Sequence, residues 1–404
     1  MLGFLYSFGL LCWALMFMPV LIYRHLIGKK KVAFFSRLDL LFYQKKTGSP
    51  TVWLHAVSLG EMKAAQFLIE ELKKQKSLHF VVTTQTHTGY QFAKQVMGLN
   101  VWMMPLDLMV FQKKILKKID PQLVLVMESD LWLNMLQACK QAKIPVYLIN
   151  GKVSWRTFQR WTKFSFFPKT LLRCLTHAYV QNDEMWRRFS PFISSQRLTS
   201  TGNIKLLKPI HLLNKTPIDP KDRWIALACT HEGEEIELFK ALAPLIAQGF
   251  KLAIAPRHPE RFDEVVAMIK KIYPDVRKYS DKVQATVTIV DQMGVLHEVY
   301  ARSLLVVMGG SFSSRVGGHD IFEPIAQGVF TFFGPAMHGQ QELADLAIAS
   351  GLGARATIEE LQELVSRKLF SQESPSVILE QFEKIKQQTL MSYQRVIEQL
   401  VQHF

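Results

Sequence analysis

Leu304-Leu305-Val306-Val307-Met308-Gly309-Gly310-Ser311 is an apolar run of strand length that feeds into a glycine pair. Gly317-Gly318-His319-Asp320-Ile321-Phe322-Glu323-Pro324 follows, with a second pair and a pattern able to open a helix. Glycine has no side chain and tolerates positive φ, so backbone can approach a ligand closely there. A helix that begins beside such a turn offers unpaired N–H groups and the positive end of its dipole. Strand, glycine turn and helix start together make a phosphate cradle. The same residues also suit a plain β-turn, and the rest of the chain decides between the two.

Outward from this stretch the same unit recurs. Trp224 to Ala228, Lys251 to Ala255, Val287 to Val290 and Thr331 to Phe333 are strand-like runs, each ending in polar or glycine-containing turns. Upstream, Thr51 to Val57, Phe80 to Thr84, Val101 to Met104, Leu123 to Met127, Val146 to Ile149 and His177 to Val180 alternate with helical patterns. His177 to Val180 is expected to be the last strand of that half. Alternating strands and helices with short turns predict parallel, doubly wound sheets, which bind ligands beyond the carboxyl ends of their strands. Pro209, Pro217 and Pro220 mark a linker between the halves.

The chain has 404 residues, 49% of them apolar, and a net charge of +15, which favours two domains and an anionic partner. Its basic residues are dispersed without aromatic interleaving, so nucleic acid is not expected as a partner. Cys12, Cys139, Cys174 and Cys229 are far apart and read as reduced thiols. His55, His87, His231, His258 and His319 fall in separate turns, so neither metal nor cofactor is expected. No charged residue occurs from Leu2 to Tyr23, and Arg24, His25, Lys29, Lys30, Lys31 and Arg37 follow. Such a segment just spans a bilayer core of about 30 Å. The basic flank then predicts a single-pass inner-membrane anchor with a cytoplasmic body and inner-membrane lipids as partners.

Six strings, taken together, resemble the Kdo transferases, which move 3-deoxy-D-manno-oct-2-ulosonic acid (Kdo) from CMP-Kdo onto lipid A precursors in lipopolysaccharide biosynthesis. They are Trp53 to Glu61, Met127 to Trp132, Thr201 to Lys205, Thr230 to Glu235, Pro256 to Phe262 and Gly317 to Pro324. The resemblance implies a GT-B fold: two Rossmann-like doubly wound α/β domains facing a cleft, with an N-terminal transmembrane helix. On this reading residues 1–23 are the membrane anchor and 31–207 the acceptor-binding domain. Residues 208–222 are the linker, 223–374 the nucleotide-sugar domain and 375–404 a C-terminal helical segment.

The resemblance further implies Glu61 as the general base that takes the acceptor hydroxyl's proton, aided by Glu128 and by Lys205 as the cation for the Kdo carboxylate or the phosphate. It implies a CMP-Kdo site formed by Pro256, Arg257, His258, Met293, Gly294, Val295, Gly310, Ser311, Asp320, Ile321, Phe322 and Glu323. Arg257 would grip the phosphate, Ser311 and glycine amides would surround it, and Glu323 would accept from the ribose hydroxyls. The acceptor is expected to be a lipid A precursor (lipid IVA), and the reaction to invert the anomeric centre and add one or several Kdo residues.

Three positions depart from the family pattern. Asp320 stands where asparagine is usual, Glu128-Ser129-Asp130-Leu131-Trp132-Leu133 replaces Glu-Thr-Glu-Leu-Trp-Pro, and Lys152 replaces an arginine. They leave open two rival readings: another GT-B nucleotide-sugar transferase, or a weakened glycolipid-binding relative.

Overall fold

The computed structural model describes residues 3, 6–16, 37–45, 48–208, 222–371 and 374–404. The chain divides into two α/β units, Met1–Pro209 joined by Gln387–Phe404, and Ile210–Lys386.

The first unit holds seven strands: β1 (Thr51–His55), β2 (His79–Thr84), β3 (Asn100–Met103), β4 (Leu123–Met127), β5 (Val146–Gly151), β6 (His177–Val180) and β7 (Leu198–Ser200). They pair in parallel in the order β3-β2-β1-β4-β5-β6-β7. β1, β4 and β5 are buried along their whole length, as a sheet covered on both faces requires. Alternate side chains serve opposite faces: Trp53, Val124, Val126 and Leu148 enter one core, and Leu54, Leu125, Met127 and Ile149 the other. That second core also takes in Tyr393, Val396, Ile397 and Leu400 from the helix Pro375–Val401. The C-terminal residues are thus partly built into the first unit.

The second unit repeats the architecture with β8 (Trp224–Thr230), β9 (Lys251–Pro256), β10 (Val276–Lys278), β11 (Val287–Ile289), β12 (Ser303–Met308), β13 (Phe330–Phe333) and β14 (Gly353–Arg355). Their order is β10-β11-β9-β8-β12-β13-β14, again all parallel. In both sheets the chain reverses its direction of travel beside the first strand, between β1 and β4 and between β8 and β12. Ligands of doubly wound sheets bind at such switch points.

The sequence reading ended the first half at β6, but β7 adds a further strand. β7, β10 and β14 have three residues each, too few to show a period. The linker expected at 208–222 falls almost entirely outside the described residues.

The single-pass anchor expected over residues 1–23 requires correction. Among the described residues no helix is long and apolar enough to cross a membrane. The start of the described helical run there, residues 6–16, also lies against the protein body. Tyr6 packs on the first-unit core, and Ser7 Oγ accepts a 2.9 Å hydrogen bond from Asn134 Nδ2. The rest of the segment and the basic residues Arg24 to Lys31 lie outside the described residues. The membrane placement and cytoplasmic body inferred from them fall with the anchor.

Candidate active site

In the first unit the polar residues of interest follow the carboxyl ends of β1, β4, β5 and β7. β1 runs into Ser58, whose hydroxyl caps the helix Leu59–Gln75 by accepting from Glu61 N–H. The helix is held by Met62, Ala65, Leu68, Ile69 and Leu72, a buried stripe at three- and four-residue spacing. This anchoring fixes Glu61 in its first turn. Glu61 Oε2 accepts from Val57 N–H at 2.7 Å, so its carboxyl folds back over the turn. Burial first, and then the nearby charge of Glu128, push its pKa up to about 7.

Glu128 sits at the end of β4 in the left-handed region at φ 55, and Asn150 at the end of β5 at φ 56. Each such residue costs roughly 1–2 kcal/mol, an expense that clusters at functional sites. The bend leaves Glu128 buried between two ammonium groups. Lys205 Nζ is 2.7 Å from Oε1 and Lys152 Nζ 2.5 Å from Oε2. Burial alone would raise the Glu128 carboxyl, but Lys205 and Lys152 outweigh it and hold it below the usual range. Two cations thus compensate one buried carboxylate. Lys205 is placed by the turn after β7, where Asn203 Oδ1 accepts from its N–H at 3.1 Å and Asn150 Oδ1 accepts from Ile204 N–H at 3.1 Å.

Beside them lies a relay that the sequence did not disclose. Trp53 Nε1 donates to Thr83 Oγ1 (3.0 Å), Thr83 Oγ1 meets His55 Nδ1 (2.8 Å), and His55 Nε2 meets Asp130 Oδ2 (2.8 Å). The Asp130 carboxylate can only accept, so His55 Nε2–H donates to it, and in the neutral ring Nδ1 then accepts from the Thr83 hydroxyl. Asp130 Oδ2 also accepts from Trp132 Nε1 at 2.5 Å. Burial opposes these bonds, yet His55 and Trp132 hold Asp130 below the ordinary carboxylate range. The shortened acid at this position therefore has a defined set of partners.

In the second unit the glycine stretch folds differently from a cradle open to phosphate. Glu234, at the start of the helix Glu234–Ala247, is buried and fills the turn with its own carboxylate. Its oxygens accept from Gly310 N–H (2.7 Å), His231 N–H (2.9 Å) and Phe312 N–H (3.1 Å). Ser311 is fully buried: its hydroxyl donates to Met308 O and accepts from Gly334 N–H, tying the ends of β12 and β13 together. The Gly310 amide and Ser311 hydroxyl, expected around the donor phosphate, are thus engaged within the protein. The glycines themselves are set by packing. A Cβ on Gly309 would lie 2.6 Å from Thr230 Cα, on Gly310 2.8 Å from the His319 ring, and on Gly318 2.3 Å from Met337 Sδ.

What this turn does present is a cluster of imidazoles, although their sequence positions placed them in separate turns. His231 follows β8, His258 follows β9, and His319 closes the loop after β12. His231 Nε2 lies 2.8 Å from His319 Nε2 with the ring planes within 10° of parallel, and His258 meets His231 edge-on at 5.1 Å. Burial, then His231, Arg257 and His258, push the His319 pKa down to about 4. His231 is lowered by burial, then by His258 and Arg257. Asp320 Oδ1 accepts from Phe322 N–H at 2.9 Å, so its carboxylate turns into its own loop. Asp320 and Glu323 lie near Cys229, whose thiol is pushed up to about 12, chiefly by burial. Ile321 and Phe322 direct their side chains into the core, where Phe322 packs on Phe382. Pro256 ends β9, while Met293 is exposed and Gly294, at φ 86, turns the chain after β11 into Val295, the cap of the helix Leu296–Ala301.

The structure therefore gathers Glu61, Glu128 and Lys205 at one sheet edge and Arg257, His258 and the Asp320 loop at the other. It adds Lys152, His55 and Asp130 to the first group, and His231, His319 and Glu234 to the second. Their signal in the sequence was position alone, at strand ends, because no local spacing links residues contributed by different strands.

The comparisons with known proteins bear on family likeness and fold. The family model described as 3-deoxy-D-manno-octulosonic-acid transferase (kdotransferase) matches residues 33–208. The chain is 29% identical over 387 residues to the 3-deoxy-D-manno-octulosonic acid transferase of Chlamydia pneumoniae, covering 91% of this chain and 89% of that protein. It is 29% identical over 343 residues to the enzyme of the same name from Haemophilus influenzae, covering 80% of each. In fold it is similar to MurG of Acinetobacter baumannii (TM-score 0.56, 14% identity, 88% of this chain and 100% of that one). It is also similar to the UDP-GlcNAc 2-epimerase of Neisseria meningitidis (TM-score 0.56, 16% identity, 84% of this chain and 100% of that one). With two parallel α/β units of the GT-B kind, the quoted motifs at strand ends in both sheets and relatives matching along nearly the whole chain, this protein is similar to the Kdo transferases, a group of glycosyltransferases, along most of its length.

Proposed function

We propose that the protein transfers Kdo from CMP-Kdo to a lipid A precursor of the lipid IVA type, inverting the anomeric centre by direct displacement. The observation that carries this reading is Glu61. It is a carboxyl fixed at the switch point of the first sheet, and its pKa near 7 lets it accept a proton at neutral pH. An acceptor hydroxyl beside it loses its proton to Glu61 as the new glycosidic bond forms. Lys205 and Lys152, held around Glu128, offer positive charge to the sugar carboxylate or to an acceptor phosphate. In the second unit Arg257 and His258 stand at the end of β9, on the side of the switch point where a nucleotide phosphate is expected. The bond from the anomeric carbon to the phosphate oxygen breaks, and its electron pair leaves with the cytidylate. One proton passes to Glu61 and one negative charge to the phosphate, which the basic residues of the second unit neutralise.

Lys152, a departure from the family's usual arginine, keeps the pairing with Glu128 that an active centre would need. This supports a working enzyme rather than a weakened binder. The test is purified protein with lipid IVA and either CMP-Kdo or a UDP sugar, with products read by mass spectrometry. Transfer from CMP-Kdo only supports the reading, and transfer from the UDP sugar only overturns it.

A further inference from the structure

We propose that the His231–His319 pair is a proton-accepting phosphate site: it takes up one proton when the donor's phosphate binds and holds it against the departing oxygen. The inference deepens the donor-site reading of the second unit and rests on it. Three imidazoles and a guanidinium, brought by β8, β9 and the loop after β12, converge at the solvent-open carboxyl edge of the central strands. The two near-parallel rings share one N–H···N bond of 2.8 Å, so one Nε2 donates and the other accepts. Two imidazoles joined in this way hold two ring protons between them when neutral and three when one is charged.

The cationic groups around the pair push toward the neutral form. Burial acts first on both rings, and Arg257, His258 and, for His231, Arg261 follow, with Asp320 opposing weakly for His319. Arg261 is itself drawn toward Glu235 and Glu264, and the Glu234 carboxylate is engaged by backbone amides. An anion placed among these cations reverses the balance, because it favours the imidazolium by direct attraction. Each anion bound in this way therefore draws in a proton.

The step balances. The donor's phosphate is a diester with one negative charge, and breaking the anomeric C–O bond leaves a monoester with two. The imidazolium proton moves onto that phosphate oxygen, or is shared with it, while the acceptor's hydroxyl proton goes to Glu61. The pair returns to neutrality when the cytidylate leaves.

The experiment is isothermal calorimetry of the full chain with cytidine 5′-methyl phosphate, a diester without a second ionisation near pH 6. Binding is measured from pH 8 to pH 5.5 in buffers of different ionisation heat. The expected result is uptake of up to one proton, with affinity rising toward the limit of about tenfold per pH unit as pH falls. His258→Asn is expected to keep this dependence, and His231→Asn and His319→Asn to lose it. Binding that is flat with pH and takes up no proton overturns the inference but leaves the donor site standing. Loss of the dependence in His258→Asn also overturns it. Failure of the unmodified protein to bind the diester at any pH overturns the donor-site reading, and this inference with it.

Discussion

Lys152 Nζ lies 2.5 Å from Glu128 Oε2, on the opposite carboxylate oxygen from Lys205. The lysine stands where the family pattern has arginine, and it serves a buried acid that a single cation would leave half-paired. Removing one partner of a buried pair costs more than the pair itself is worth, because a charge remains without compensation.

Lys152→Ala and Lys205→Ala should therefore each destabilise the protein by about 1–2 kcal/mol, and the double variant by about 3–5 kcal/mol, more than the sum of the singles. Urea unfolding of the four proteins measures this. Lys152→Arg should restore the stability lost in Lys152→Ala. An additive cycle would mean that the lysines do not share Glu128.

Glu234 should tolerate neither Ala nor Gln. The alanine leaves the N–H groups of His231, Gly310 and Phe312 without their acceptor, at about 1–3 kcal/mol for each group that stays dry. The glutamine keeps one oxygen, which can still accept from His231 and Gly310 N–H, but its NH2 then faces the Phe312 N–H, donor against donor. Thermal unfolding of the two variants checks it, and a glutamine variant of parental stability would show that the carboxylate's charge is unimportant.

Gly309→Ala should be among the most damaging glycine changes. Its Cβ would meet the Thr230 backbone at 2.6 Å, where β8 and β12 are paired and neither strand can move aside. Overpacking of this kind costs typically 1–3 kcal/mol. Measured stability within a few tenths of the parent would contradict the packing argument.

Glu61 gives stability a distinctive pH dependence. Its folded pKa of about 7 lies above the unfolded value of 4.5, so between these two pH values the folded state binds more protons. The protonated carboxyl stabilises fully below about pH 4.5, and that contribution is lost as pH rises through 7. Glu61→Gln removes this component, so its stability relative to the parent should rise between pH 5 and pH 8. A constant difference across that range would show that Glu61 has an ordinary pKa.

Much of the fold was legible because buried parallel strands read as unbroken apolar runs. Leu123 to Met127 is such a run and Thr51 to Val57 nearly one, interrupted by His55, and both lead to their expected turns. β7, β10 and β14 were not legible, since three-residue edge strands take their conformation from a neighbour rather than from a pattern. At the site, position told more than partnership. Glu128 was found as a strand-end residue and Lys205 through its motif's resemblance, but their contact, and the part of Lys152 in it, depend on how β4, β5 and β7 are aligned. The glycine stretch 309–318 was read as room for a ligand. It is instead room for Thr230, His319 and Met337, and Glu234 already occupies the anion position that its amides create. The apolar N-terminus misled for a related reason: hydropathy alone does not distinguish a spanning helix from one that packs on its own protein through Tyr6 and Ser7.

The most direct measurement compares the parent with Glu61→Gln in steady-state transfer of Kdo from CMP-Kdo to lipid IVA, with the fold of each verified by circular dichroism. If Glu61 is the base, the glutamine variant loses about 10²–10⁴-fold in kcat. The parent's kcat should also rise with pH through an inflection near 7, where burial and Glu128 have placed this carboxyl. A folded Glu61→Gln protein that turns over at the parental rate would contradict the account.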